Sequence, residues 1–78
     1  MSYEPGYYCD ELRHIVCVPY SVPGLHDMAF RLGIKRCWFH PANGRAHYDT
    51  PKRRIAELTA KCTLVSGRDV LAIMKGAR

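Results

Sequence analysis

Six glycines and five prolines cut the 78 residues into short stretches, and apolar runs last only a few residues before a charge, Gly or Pro interrupts them. That punctuation limits the chain to short strands and helices of about three turns. It leaves no run long enough for a membrane span, and no basic region followed by an apolar run opens the chain as in a signal peptide. A chain of this length buries only roughly 60% of the surface its unfolded state exposes. One domain over residues 1–78 is expected, without room for separate cofactor and substrate domains. An apolar share of 47% with 24% charged residues argues for a folded chain rather than a disordered one.

The apolar pattern assigns the elements. Tyr7 to Cys9 reads as a short strand ending in Asp10-Glu11, and His14 to Tyr20 as a second strand with Pro19 at its end. Ser21 offers an N-cap. Leu25, Met28, Ala29 and Leu32 then recur at helical spacing, and Gly33-Ile34 suits a left-handed C-cap with an apolar latch. Lys35 to His40 suggests a short strand, Pro41 to Arg45 a turn, and Thr50-Pro51 the cap and first residue of a helix reaching about Lys61. Ile55, Leu58 and Thr59 would face inward on it. Cys62 to Val65 makes a last strand, and Ser66 with Asp69 a capping box for a helix carrying Val70, Leu71, Ile73 and Met74 up to Gly76. The expected fold is a small α/β or α+β sandwich, about three helices over a sheet of three or four strands. Its core should join Leu25, Met28, Leu32, Ile55, Leu58, Val70, Leu71 and Ile73 to Ile15, Cys17 and Leu64.

Cys9, Cys17, Cys37 and Cys62 lack the paired spacing of structural zinc sites, and Cys37 with His40 makes only half a ligand set. Reduced thiols in a cytoplasmic setting are expected. P-loop, dinucleotide-binding, zinc-protease and serine-hydrolase motifs are all missing from the sequence. No cofactor is expected.

Taken together, Tyr8-Cys9-Asp10-Glu11, Leu25-His26-x-Met28-Ala29, Leu32-Gly33-Ile34, Trp38-Phe39-His40 and His47-Tyr48-Asp49 resemble, in order and spacing, a family of small bacterial and phage domains of unknown function. The resemblance covers nearly the whole chain and implies that Asp10, Trp38, His47, Tyr48 and Asp49 are signature positions. Glu11 departs from the second aspartate of the family's start, and His40 stands where glutamine is common. The resemblance implies a microbial or phage setting and no reaction.

Two functional readings follow from the residues. Twelve Lys+Arg against seven Asp+Glu give a net charge of +5, and six of those cations lie between Lys35 and Arg54. Lys35, Arg36, Arg45, Lys52, Arg53 and Arg54, interleaved with Trp38, His47 and Tyr48, suit phosphate contacts with base stacking. Lys52, Arg53 and Arg54 also crowd the positive end of a helix dipole, which an anionic ligand would relieve. The favoured expectation is therefore a non-enzymatic accessory protein that binds nucleic acid, a nucleoprotein complex or an acidic protein surface, on the scale of phage anti-CRISPR inhibitors. The alternative is a metal-dependent hydrolase in which Asp10, Glu11, His47 and Asp49 hold Mg²⁺ or Mn²⁺. A purely structural role, Asp49 and Asp10 capping a helix and a turn, competes with it.

Overall fold

A computed structural model describes residues 3–42 and 44–76. Asn43 of the expected turn lies outside that set. In chain order the elements are β1 (Gly6–Cys9), β2 (His14–Val18), α1 (Val22–Leu32), a 3-10 turn at Arg36–Trp38, β3 (Phe39–His40), β4 (His47–Asp49), a 3-10 turn at Lys52–Arg54, α2 (Ile55–Lys61), β5 (Thr63–Leu64) and α3 (Gly67–Lys75). The strands form one mixed sheet in the order β3-β4-β2-β1-β5, antiparallel except for the parallel β1–β5 pair. This is an α+β architecture. The fifth strand beyond the expected count is the three-residue β4, too short to show an alternating pattern, while of the strand expected over Lys35 to His40 only Phe39–His40 is extended, Arg36–Trp38 being a 3-10 turn.

Local chemistry sets the helix ends. Ser21 Oγ accepts from the Gly24 N–H at 3.0 Å at the start of α1. At its end Gly33 adopts φ 72°, and the Ile34 N–H reaches back to the Ala29 carbonyl at 2.8 Å, packing Ile34 into the core. Ser66 and Asp69 form the reciprocal capping box of α3. Thr50 does not cap α2. Its N–H donates to the Arg13 carbonyl at 2.8 Å, extending the strand pairing, so the chain turns through Lys52–Arg54 before the helix starts at Ile55.

Pleating divides β2 between two faces. Ile15 and Cys17 face α1, whose Gly24 approaches so closely that a Cβ there would lie 3.1 Å from Cys17 Sγ. Their neighbours His14 and Val16 face the side covered by α3. The buried core joins Ile15, Val16, Leu25, Met28, Tyr48, Leu58, Val70 and Ile73. Three expected core members are exposed instead: Ile55, Leu64 and Leu71. The seven-residue α2 buries only Leu58, Leu64 sits on the edge strand β5, and Leu71 lies on a cleft wall. Among the described residues no helix is long and apolar enough to cross a membrane.

Candidate functional site

Register builds a cluster of imidazoles and a carboxylate on the α3 side of the sheet. His14 of β2 lies opposite Asp49 of β4, and His40 of β3 lies opposite His47 of β4. His47 and Asp49 are two apart on one strand, so all four side chains share a face. The α3 helix covers the neighbouring part of that face and leaves these strand ends open. A cleft of about 360 Å³ results, with His14 and His47 at its polar end and Leu12, Val70, Leu71 and Met74 along its walls.

The hydrogen bonds around the cluster fix which nitrogens are free. Asp10, its side chain 1% exposed, closes the β1–β2 turn: Oδ1 accepts from the Leu12 and His14 N–H groups, each at 2.9 Å. Its Oδ2 lies 2.9 Å from His14 Nδ1. A carboxylate there can only accept, so His14 carries a proton on Nδ1, and in the neutral ring Nε2 is a lone pair. His47 Nδ1 lies 2.8 Å from the Arg45 carbonyl, which also only accepts, so in the neutral ring Nε2 of His47 is a lone pair in the same way. Asp49 holds the group together, with Oδ2 on His40 Nε2 at 2.6 Å and Oδ1 3.4 Å from His47 Nε2. The His40 and His47 rings stack with centroids 5.3 Å apart, and His14 meets His47 edge-on at 4.7 Å.

One ligand atom each from His14, His47 and Asp49 lies within 4.8 Å of the others. His47 Nε2 faces a carboxylate oxygen at 3.4 Å, an arrangement made favourable by a proton on that nitrogen or by a metal ion between the two. Two imidazoles and one carboxylate make the facial donor set that holds a divalent transition metal with further positions open.

The metal set expected from the sequence is thus rearranged. His47 and Asp49 come together, Asp10 orients a ligand rather than serving as one, and exposed Glu11 lies on a different surface beside Leu64. Sequence reasoning missed His14 and weighed His40 only as a partner of Cys37. Their signal was weak, a histidine at one end of each of two strands, and it becomes meaningful only through cross-strand register.

The expected basic and aromatic face is not continuous. Tyr48 is 1% exposed, its hydroxyl bonded to His26 Nδ1 at 2.8 Å and its ring packed on Phe39, so it cannot stack on a base. Burial pushes the Tyr48 phenol up and the His26 imidazole down from their ordinary values. Arg36 lies over the Phe39 ring at 4.9 Å. Arg45 and His47 belong to the cleft on the α3 side. Arg54 donates to the Leu32 and Gly33 carbonyls at 2.7 and 2.6 Å and pairs with Glu57. The cation crowding at the start of α2 is therefore relieved in part by the carbonyl end of α1, where an anionic ligand was expected. Arg54 and Lys61 together hold the Glu57 carboxyl down at about 2. Lys35, Trp38 and Arg53 remain around a shallow groove at the end of α1, with Lys52 exposed on the adjoining turn.

No curated protein and no solved structure matches the chain. A family model does, over residues 10–77, from the aspartate that orients His14 through the whole of α3. The chain belongs to the family described as Protein of unknown function (DUF4031).

Proposed function

We propose that this domain is a mononuclear metal-dependent hydrolase. The ion is held by Nε2 of His14, Nε2 of His47 and a carboxylate oxygen of Asp49. The observation that carries the reading is the convergence of one ligand atom each from His14, His47 and Asp49 within 4.8 Å, with Nδ1 of both ligand histidines already committed to acceptors. Imidazole donors favour Zn²⁺ or a neighbouring transition ion over the Mg²⁺ that a carboxylate set would select.

Three protein ligands leave a position for water, which such an ion acidifies toward neutral pH and so makes a nucleophile. Each residue around the ion has a task. Asp10 sets the ring orientation of His14, the Arg45 carbonyl sets that of His47, and His40 holds the second oxygen of Asp49. The apolar walls beside His14 and His47 give room for a small substrate. The setting inferred with this activity is a bacterial cytoplasm, as the resemblance to bacterial and phage domains implies.

Calorimetric titration of metal-stripped protein with Zn²⁺ tests the site. One ion per chain at micromolar or tighter affinity is expected, lost in His47→Ala and in Asp49→Asn. Cobalt substitution should give the absorption of a four- or five-coordinate centre. Zn²⁺ binding that survives both substitutions, or no binding at all, would remove the proposal. A metal-loaded protein inert toward activated carboxylic and phosphoric esters would confine it to metal binding.

A further inference from the structure

A second site lies on the side of the sheet where α1 packs, away from the imidazole cluster. The groove there, about 410 Å³, is formed by Gly33, Lys35, Trp38, Pro51, Arg53 and Arg54. Its charge is only partly compensated. Asp27 is paired with Arg31, and Glu57 with Arg54 and Lys61. Lys35, Lys52 and Arg53 form no ion pair among the described residues. Lys35 and Arg53 therefore line the groove as unpaired cations, with Lys52 on the adjoining turn.

Trp38 supplies the second element. It is 37% exposed, unusual for the largest apolar side chain, and it sits on the 3-10 turn held by its own N–H to the Lys35 carbonyl at 3.0 Å. Arg54 ties the opposite wall to the end of α1 through the Leu32 and Gly33 carbonyls. The indole and the free cations therefore stand on a fixed frame rather than on mobile tails.

We infer that this groove binds single-stranded nucleic acid, Lys35 and Arg53 contacting phosphates and Trp38 stacking on a base. A duplex keeps its bases stacked on each other and offers the indole no free face, so the arrangement favours a single strand. The inference does not depend on the metal centre, which lies on the other side of the sheet.

Trp38 is the sole tryptophan in the chain, so its fluorescence reports on this groove alone. Titration with a short oligothymidylate should quench it saturably. Each phosphate contact contributes about −0.7 to the slope of log affinity against log salt for a single strand. The Lys35→Ala/Arg53→Ala variant should then have a slope shallower by about 1.4, so a fourfold rise in salt weakens it about sevenfold less than wild type. Trp38→Leu, followed by oligonucleotide anisotropy, should lose about tenfold or more in affinity with the slope unchanged.

The wild-type quenching and the double variant decide the matter even if the tryptophan variant fails to fold. Absence of saturable quenching would overturn the inference, as would a double variant with an unaltered slope. Polyglutamate binding as tightly as oligothymidylate would do the same, marking the groove as a site for acidic protein surfaces.

Discussion

Asp10→Asn separates the two jobs of one buried carboxylate. Oδ1 accepts two backbone N–H groups that close the β1–β2 turn, and Oδ2 engages His14 Nδ1. An asparagine keeps the first job with its carbonyl oxygen, but its amide then presents an N–H to Nδ1. Either the two donors clash, or His14 moves its proton to Nε2 and gives up the lone pair assigned to the metal. Loss of an orienting partner of this kind weakens metal binding by about tenfold to a hundredfold, about 1.4 to 2.7 kcal/mol. The apo protein loses one charge-assisted hydrogen bond, about 1 to 2 kcal/mol. In a domain this small that lowers Tm by roughly 5 to 15 °C.

Melting with and without Zn²⁺, beside calorimetry, measures both effects. The expected pattern is a modest apo destabilisation with most of the metal-dependent stabilisation gone. Exposed Glu11, replaced by Gln, should leave both unchanged. An Asp10→Asn protein that binds Zn²⁺ as tightly as wild type would refute the tautomer argument.

Further outcomes follow from the packing and the charges. Leu58→Ala should cost about 2 to 5 kcal/mol in urea denaturation, and the exposed Ile55→Ala only about 1 to 2; equal costs would contradict the placement of α2. Because Arg54 and Lys61 hold the folded Glu57 carboxyl down at about 2 from an ordinary 4.5, its contribution is full above pH 4.5 and is lost as pH falls toward 2. Glu57→Gln should therefore flatten the stability profile between those values, and an unchanged acid limb would show the pairing to be ineffective. Burial raises the Cys9, Cys17 and Cys62 thiols, that of Cys62 to about 12, while Cys37 is exposed. Alkylation of native protein near pH 8 should mark Cys37 first by mass spectrometry, and rapid labelling of Cys62 would argue against its buried setting.

The parts of this fold legible in the sequence were those settled within a few residues. The Ser21 cap, the Gly33-Ile34 stop and the Ser66-Asp69 box each act across three to five positions, and each stands as read. The start of α2 was misplaced because its determinant is distant: Thr50 is held by Arg13, 37 positions earlier, so the chain is still strand-like where Thr-Pro suggested a cap. The His47-x-Asp49 half of the candidate site was legible because alternation along one strand puts residues two apart on one face. Its other half was not, since His14 and His40 join it only through register across three strands.

The basic cluster shows the same division from the other side. Sequence reasoning rightly registered that Lys52, Arg53 and Arg54 sit unfavourably at a helix start, but it could not see that the carbonyl end of α1, some twenty residues away, takes up Arg54. Once that internal partner is counted, two unfilled demands remain. One is His47 Nε2 facing the Asp49 carboxylate, which a proton or the proposed metal ion would bridge. The other is the pair Lys35 and Arg53 beside an open indole, which calls for an anion with a flat apolar face. A helix terminus can be satisfied by the chain that contains it, whereas the two proposed sites would each take their partner from outside it.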